Sequence, residues 1–363
     1  MPDRYQYVRI HTPYFCLQQN PLSLAWLLTF KTQPLRLGAL RLGGKVALSV
    51  AKALIRHRLA PRNGGSLLEL PFYGELCLPV HRGYKVFNLR AKTVVRMFAP
   101  ATDALVVARE INAVRDAGRL EFAPAVRRWS VDERWYEESL VIGYRADLSA
   151  GELTPETYQR DIASCLERMI LLQAPQRMKL GEYVNQARGA FAADGLFAQI
   201  AKADSARVVK RFLESTADRL LREGEQEIDL VFSHGDFSLR NILQTNDGVC
   251  VIDWENGGSR SPVCDLYNFF FTEMYYGRLA LDKARAGIVA AIASMQSRLQ
   301  SRASQLAPDL LSLAPLYRAL YYFERVLVLL ARELTDERLR VILRSIELFK
   351  RYEEEVYATR QSV

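Results

Sequence analysis

The sequence predicts an α+β protein with a small β-rich lobe followed by a larger helical lobe. Between about Leu67 and Leu140, short apolar or β-branched runs alternate with turn residues, which is the pattern of antiparallel strands. From Thr154 onward, apolar residues recur mostly at helical spacing, and one short group of strands within residues 229–253 interrupts the helices. At 363 residues, the chain is long enough for two domains, each with its own core.

The strands of the small lobe are predicted to begin with an antiparallel meander. Its members are Leu76–Val80, Lys85–Leu89 and Thr93–Phe98. A helix over Asp103–Ala117 follows, and Ala125–Trp129 and Trp135–Leu140 are two further strands.

The large lobe is predicted to be mainly helical. Its helices are Thr154–Leu172, Ser205–Glu223, Asp265–Tyr276, Leu281–Leu299 and a long run from about Ala314 to Tyr357. The interrupting strands are Asp229–Ser233, Ile242–Gln244 and Val249–Asp253, the last two joined by a turn. We therefore divide the chain into an extension (1–63), an N-lobe (64–139) and a C-lobe (140–363).

Composition excludes several classes of protein. The five cysteines are scattered, odd in number and without a CxxC pair, which argues against a disulfide scaffold or a zinc site and indicates a reducing compartment. No run of 18 apolar residues exists, so no membrane-spanning helix is predicted. These features predict a cytoplasmic protein.

The net charge of +8 is concentrated in the extension. Residues 1–63 contain ten Lys or Arg and one acid, which gives +9 and leaves −1 for the rest. The extension ends in a predicted amphipathic helix, Lys45–Leu59, with its basic residues on one stripe. Two interpretations stay open: this helix packs against the protein body, or residues 35–59 lie on an anionic membrane surface. Nucleic acid is not an expected partner, because aromatic residues do not interleave with these charges.

The candidate chemistry lies in two short segments. A strand leads into His234-Gly235-Asp236, and Asn241 follows five residues after Asp236. A second strand ends on Asp253 and Glu255. Phosphoryl transfer needs a carboxylate to orient the attacking hydroxyl and oxygen ligands for Mg²⁺. Asp236 can be the carboxylate that orients the hydroxyl, and Asn241 and Asp253 can supply the oxygen ligands for Mg²⁺.

These motifs resemble those of the aminoglycoside phosphotransferase and choline kinase family, which has a protein-kinase-like fold. The chain contains HGDxxxxN at His234–Asn241, IDWE at Ile252–Glu255 and Asp265-Leu266, in order over 33 residues. The resemblance implies that Asp236 is the catalytic base and that Asn241 and Asp253 bind Mg²⁺. It also implies that His234 and Asp265 support the catalytic loop, and that Glu255 lies behind the metal or beside a second one.

The small lobe is expected to hold the nucleotide, ATP or GTP. Arg96, in the middle of a strand, is the candidate cation for the phosphates, and Glu110 on the next helix is its partner. Gly83 belongs to the loop that would cover the phosphates. Glu138 and Leu140 lie where the base would meet the connection between the lobes.

The sequence leaves the acceptor open among amino alcohols, sugars and glycans. Aromatic residues of two helices are either core or an acceptor cage, in which Glu273 or Glu324 could hold an amine: Tyr267, Phe269–Phe271, Tyr275, Tyr276, Tyr317 and Tyr321–Phe323. The predicted function is transfer of a nucleotide γ-phosphate to a small-molecule hydroxyl. The alternative is a kinase-like binding protein without catalytic activity. Oligomeric state is not predicted.

Overall fold

A computed structural model of the chain describes residues 4–9, 14–16, 67–145, 163–170, 175–193, 204–302, 309–330 and 335–361. The described residues form two compact units. The first contains the described residues up to Arg119 together with Pro124–Ile142, and the second contains Leu120–Ala123 and the described residues from Gly143 onward.

The first unit is built on one antiparallel sheet. Its eight strands are β1 (Tyr5–Arg9), β2 (Tyr14–Cys16), β3 (Leu67–Leu70), β4 (Leu76–Val80), β5 (Gly83–Asn88), β6 (Thr93–Phe98), β7 (Val126–Ser130) and β8 (Trp135–Ser139). Their order across the sheet is β3-β1-β2-β4-β5-β6-β8-β7. The predicted meander is the continuous part of this order, since β4, β5 and β6 pair in sequence.

Among the described residues of this unit, one helix accompanies the sheet, and its start follows from a capping residue. The side chain of Asp103 accepts hydrogen bonds from the backbone N–H groups of Leu105 and Val106, so α1 (Ala104–Ala117) begins directly after it. The helix buries Val107, Ile111 and Val114 on one face, at the spacing expected for an amphipathic helix. Glu110 is also buried on this helix.

The treatment of residues 1–63 as an extension separate from the N-lobe needs correction. β1 pairs with β3 and β2 pairs with β4, so two strands of the supposed extension lie inside the sheet. Tyr7 and Cys16 are fully buried in its core, together with Cys77 and Val86. The sequence signal was weak because β1 and β2 are short and the strand next to β1, β3, lies far away in the sequence. The predicted helix Lys45–Leu59 is outside the described residues.

The second unit is mainly helical. Its helices are α2 (Leu180–Ala193), α3 (Asp204–Arg222), α4 (Cys264–Tyr275), α5 (Leu281–Arg302), α6 (Ala314–Leu330) and α7 (Asp336–Gln361), and residues 163–170 are helical as well. The C-terminal run predicted as one helix is two helices, α6 and α7. In the part of the chain that the structure describes, no helix combines the length and apolar character needed to cross a membrane.

Two small antiparallel sheets lie within the second unit. One contains β10 (Gln176–Lys179), β11 (Glu227–Ser233) and β14 (Gly258–Arg260), and the other contains β9 (Tyr144–Arg145), β12 (Ile242–Thr245) and β13 (Gly248–Val251). β11 is buried along most of its length, and β12 and β13 form the predicted hairpin. The segments with the candidate chemistry begin where β11 and β13 end.

Candidate active site

The loop after β11 has a backbone shape that requires glycine. Gly235 has a φ of +76°, and a Cβ at this position would lie 2.6 Å from the carbonyl oxygen of Asn256 and 2.7 Å from Nη1 of Arg260. Left-handed backbone combined with such close neighbours excludes other side chains. The glycine therefore turns the chain sharply between His234 and Asp236.

His234 is completely buried and holds this loop from inside. Its Nδ1 accepts the backbone N–H of Asp236 at 3.1 Å, and its Nε2 lies 2.9 Å from the carbonyl oxygen of Ile252. These partners assign the ring proton to Nε2, which donates to Ile252. The ring also packs on Trp254, with 4.6 Å between centroids. His234 thus connects the loop to the strand that precedes Asp253, and its contacts are those of a positioning residue.

Asp265 holds the same loop from the first turn of α4. Its two carboxylate oxygens accept the backbone N–H groups of His234 at 2.6 Å and Gly235 at 2.8 Å. One helical turn later, Nδ2 of Asn268 donates to the carbonyl oxygen of Phe237 at 2.9 Å. Asp265 and Asn268 are both buried, so α4 fixes the loop on either side of Asp236. The sequence pointed to Asp265 but not to Asn268.

Asp236, the proposed base, is partly exposed and ion-paired. Nη1 of Arg325, on α6, lies 3.2 Å from Oδ1 of Asp236, and the two side chains are 17% and 27% exposed. Both residues line a cavity in the second unit. Sequence reasoning missed Arg325 because the partner of Asp236 comes from a helix about 90 residues later, without any local motif.

Asn241 and Asp253 are brought together by the β12–β13 hairpin. Ile242 is opposite Val251, and the N–H of Ile252 donates to the carbonyl oxygen of Asn241 at 2.8 Å. Nδ2 of Asn241 donates to the carbonyl oxygen of Asp236 at 2.9 Å, so Oδ1 is the acceptor atom of this amide. Asp253 has a left-handed backbone, with φ 72° and ψ 50°, an outlier of the kind found at functional sites.

This donor set fits Mg²⁺. Amide and carboxylate oxygens are the hard ligands that this ion prefers, and an all-protein cage is unusual for it. Glu255 lies in the 3₁₀ turn Trp254–Asn256, two residues beyond Asp253. Over the described residues, there is no group of three or more His, Cys, Asp and Glu side chains that could hold a metal ion by themselves. A site shared between Asn241, Asp253 and phosphate oxygens is consistent with both observations.

In the first unit, Arg96 and Glu110 form the predicted pair. Nε of Arg96 lies 3.3 Å from Oε1 of Glu110, and both side chains are buried. The other two nitrogens of the guanidinium donate to the carbonyl oxygens of His81 at 2.6 Å and Met97 at 2.9 Å. Arg96 therefore fixes the turn between β4 and β5 to β6. Its direct contact with nucleotide phosphates stays a prediction.

The other three residues assigned to the nucleotide lie at the edges of the first unit's strands. Gly83 has a φ of +150°, and a Cβ there would overlap the carbonyl oxygen of Met97, so the β4–β5 turn requires glycine. Glu138 is in β8, opposite Val94. Leu140 follows β8, and its N–H donates to the carbonyl oxygen of Lys92 at 2.9 Å.

Comparison with known families identifies the chain. A model described as "Phosphotransferase enzyme family" matches residues 82–303, more than half of the sequence. The chain belongs to this phosphotransferase family. The resemblance inferred from the HGD and IDWE motifs is thereby confirmed, and so is the kinase-like α+β fold class. The protein is therefore a phosphotransferase enzyme.

Solved structures that are similar to the phosphotransferase share little sequence identity with it. A choline kinase from Streptococcus pneumoniae is 13% identical, with 83% of this chain and 99% of that chain covered and a TM-score of 0.48. A glucosamine kinase in complex with glucosamine, ADP and inorganic phosphate is 15% identical, with 76% and 80% covered and a TM-score of 0.47. An aminoglycoside phosphotransferase in complex with gentamicin is 14% identical, with 74% and 89% covered and a TM-score of 0.46. No curated protein matches the chain at a significant level.

The two aromatic groups of the phosphotransferase are mainly core. Phe271 of α4 packs against Tyr321 and Tyr322 of α6 and against Phe349 and Tyr352 of α7, with 5.1–5.6 Å between ring centroids. This cluster joins the three helices, which the core interpretation predicts. Tyr275 and Tyr276 differ, because they lie at the end of α4 and are partly exposed, and they line the cavity beside Asp236 together with Phe271, Tyr321 and Phe349 of the cluster.

Neither Glu273 nor Glu324 is positioned to hold an amine. Glu273 is fully buried in a two-pronged ion pair with Arg278, at 2.6 and 2.9 Å. Glu324 is 4% exposed and accepts a hydrogen bond from the hydroxyl of Tyr183 at 2.5 Å. The carboxylate of Glu273 is therefore occupied by Arg278, and Glu324 is buried with Oε1 bonded to Tyr183.

Burial of Glu324 produces a testable pH dependence of stability. Desolvation raises the pKa of Glu324 to about 7, whereas an unfolded glutamate titrates near pH ~4.3. The stability that comes from keeping Glu324 protonated is fully present below the pKa of this residue in the unfolded state. It is lost as the pH rises through the pKa of Glu324 in the folded state. Glutamine stays neutral at every pH. The free energy of unfolding of Glu324→Gln, relative to that of the wild type, is therefore expected to increase by about 2–3 kcal/mol when the pH is raised from ~5 to ~8. Urea unfolding at both pH values measures this difference.

The matched control for this substitution is Glu354→Gln, on the exposed side of α7. Its free energy of unfolding should follow that of the wild type at both pH values. Equal pH slopes for Glu324→Gln and wild type would contradict the raised pKa.

Proposed function

We propose that the enzyme transfers the γ-phosphate of ATP or GTP to a hydroxyl group of a small molecule with the help of Mg²⁺. The hydroxyl oxygen forms a bond to the γ-phosphorus, and the bond between that phosphorus and the β–γ bridging oxygen breaks. The hydroxyl proton passes to the carboxylate of Asp236, and the nucleoside diphosphate leaves. All atoms of the step come from the nucleotide, the acceptor and this carboxylate.

The observation that carries this proposal is the arrangement of three side chains on one loop and one hairpin. Asp236 faces a cavity, while its backbone carbonyl holds the amide of Asn241, and the carbonyl of Asn241 accepts the N–H of Ile252, the residue before Asp253. The residue that would accept the proton and the residues that would hold the metal are therefore fixed to one another. In-line transfer requires such fixed distances, because positioning is the main source of rate in phosphoryl transfer.

Asn241 and Asp253 would hold Mg²⁺ through oxygen atoms, with Glu255 behind them or beside a second ion. When bound, the ion supplies positive charge that neutralises the β- and γ-phosphate oxygens. Asp236 would orient the acceptor hydroxyl and take its proton. Arg325 keeps the Asp236 carboxylate in one orientation through the 3.2 Å contact. His234 and Asp265 keep the loop itself in place.

The residues of the first unit are proposed to bind the nucleotide. Gly83 would let the β4–β5 turn approach the phosphates closely, since no side chain projects from it. Arg96 and Glu110 stabilise this turn, because the guanidinium bonds the carbonyl oxygen of His81 two residues before the glycine. Glu138 and Leu140 would offer backbone groups to the edge of the base. The contacts of these backbone groups with the edge of the base would determine whether ATP or GTP is preferred.

Nucleotide binding in the presence and absence of Mg²⁺ tests the proposal. Thermal unfolding is measured with ATP or GTP, each with MgCl₂ or with EDTA. A nucleotide at about 100 times its dissociation constant stabilises the native state by about 2.7 kcal/mol, which gives a clear increase in Tm. We expect this increase with Mg²⁺ for the wild type, and its loss in Asp253→Ala, because the variant lacks the carboxylate ligand.

The control is Asp247→Ala, at the exposed tip of the β12–β13 hairpin, which should behave as the wild type. A parallel assay follows release of the γ-phosphate. The absence of any nucleotide-dependent shift in the wild type would refute the phosphotransferase mechanism proposed here. A shift without phosphate transfer to any acceptor would favour a binding protein without catalytic activity.

A further inference from the structure

A cavity of about 390 Å³ lies beside Asp236 in the second unit. Its walls come from the C-terminal end of α4, the C-terminal half of α6 and the first half of α7. This volume is in the range of sites that bind small molecules. Since the carboxylate of Asp236 is part of the wall, a molecule in the cavity can present a hydroxyl to the proposed base.

The charged side chains around this cavity are mostly arginines. Among the described residues that line it, there are three arginines, two carboxylates and no lysine or histidine: Arg240, Arg325, Arg338, Asp236 and Glu337. Arg325 and Asp236 form an ion pair, so their charges compensate. The other charged residues of the wall are Arg240, Arg338 and Glu337, and Glu337 is exposed at the start of α7.

Arg240 is positioned as a ligand-binding group. It lies four residues after Asp236, in the 3₁₀ turn Leu239–Asn241, and its guanidinium carbon is 4.9 Å from the ring centroid of Tyr276. Tyr276 also lines the cavity. Within the described ranges, no carboxylate forms an ion pair with Arg240, although the carboxylate of Glu273, paired with Arg278, attracts it at longer range. A guanidinium oriented by an aromatic ring, with donors not used by an acid, is suited to bind a carboxylate or a phosphate.

Two further arginines increase the positive charge at this end of the cavity. Arg278 lies over the ring of Tyr276 at 4.8 Å, and Arg344 lies over the ring of Tyr275 at 4.7 Å. Arg278 is neutralised by Glu273, but Arg344 has no ion pair with a described carboxylate. A cationic acceptor would therefore meet like charge here, whereas an anionic acceptor would be attracted.

We propose that the acceptor of this enzyme carries a carboxylate or phosphate group in addition to the hydroxyl that is phosphorylated, and that Arg240 binds this anionic group. This inference deepens the proposed function and rests on it. Arg240 would hold the anion while Asp236 orients the hydroxyl, and the short segment between them fixes the distance between the two groups. Acidic sugars and sugar phosphates have the required chemistry.

A panel of sugars with one skeleton and different charge tests the inference. Galactose, galacturonate, galactose 6-phosphate and galactosamine are titrated calorimetrically into the full chain without nucleotide, and each is assayed for ADP formation with Mg²⁺ and ATP. We expect at least one acidic sugar to bind about tenfold or more tightly than galactose and galactosamine, a discrimination typical of a charge-assisted contact. Comparison of galacturonate with galactose 6-phosphate shows which anion is preferred.

Variants of Arg240 identify the binding group. Arg240→Gln is expected to remove the preference for the acidic sugar and to raise its KM more than it lowers kcat, and Arg240→Lys should retain part of the preference. Arg351→Gln, an exposed arginine on α7 outside the cavity, is the matched control and should keep the preference.

Three results would overturn the inference: tightest binding of galactosamine, no binding advantage of either acidic sugar, or an acidic preference that survives Arg240→Gln. The experiments distinguish failure of this inference from failure of the proposed function. A normal Mg²⁺-dependent nucleotide shift without acid preference means that only the acceptor class is wrong. Arg240-dependent binding of the acidic sugar without any nucleotide shift means that the site is present but the phosphotransfer mechanism is wrong.

Discussion

Replacement of Asp236 by asparagine is expected to lower kcat by about 10²- to 10⁴-fold, the usual contribution of a positioned general base. Asparagine has nearly the same shape and can still accept a hydrogen bond from Arg325, but its amide cannot take the hydroxyl proton. The Mg²⁺-dependent increase in Tm with nucleotide should persist, because Asn241 and Asp253 are unchanged. Steady-state kinetics and thermal unfolding of the same preparation measure the two effects.

Two comparisons make this result specific. The ion pair between Asp236 and Arg325 is partly exposed, so its loss should cost only about 1 kcal/mol of stability, which unfolding in urea can verify. Asp247→Asn, in the exposed turn of the hairpin, controls for the change of charge and should leave kcat as in the wild type. Normal turnover by Asp236→Asn would show that another group accepts the proton.

Replacement of Asp265 by asparagine is expected to damage both stability and activity. The two carboxylate oxygens of Asp265 accept two buried N–H groups, from His234 and Gly235. Asparagine has one acceptor oxygen, so its NH₂ group would face one of these donors and leave it without a partner. Leaving a buried donor unpaired costs about 1–3 kcal/mol, and more is lost with the charge-assisted bond. We expect an unfolding free energy lower by about 2–4 kcal/mol.

The same substitution should reduce kcat by about 10²-fold or more, because the loop that carries Asp236 is then held on one side only. Asp282→Asn is the matched control, since Asp282 is also in the first turn of a helix but is exposed. It removes the interaction of an acid with the helix N-terminus and nothing else, a change of about 0.3–1 kcal/mol. Loss of stability without loss of kcat would mean that Asp265 supports the fold but not the position of Asp236.

Some parts of the structure can be predicted from short segments of the sequence, and others cannot. The HGD and IDWE segments predicted the loop and the hairpin, because their residues are close in sequence and their geometry is set by local turns. Gly235 is the clearest case, since its positive φ is a local requirement that only glycine meets. In contrast, the pairing of β1 with β3 joins residues about 60 positions apart, and nothing in either segment specifies its partner.

Sequence reasoning missed several residues for the same physical reason. Arg325 contacts Asp236 across about 90 residues, and Asn268 contacts the carbonyl of Phe237 across 31. An arginine or asparagine on a helix shows no signal by itself, because most such residues are solvated. Likewise, the sequence leaves Glu273 open as a partner for an amine, and only the structure pairs it with Arg278.

The sequence by itself determined the fold class, the phosphotransferase family and the identity of the loop residues, because ordered motifs and hydrophobic periodicity are local properties. Only the tertiary structure decided which helices surround Asp236, and therefore which charges face the acceptor. Helices α4, α6 and α7 meet through their aromatic core, and that packing brings Arg240, Arg325 and Arg338 to one cavity. The electrostatic character of the cavity arises from distant segments, so it depends on the packed structure and on no single motif.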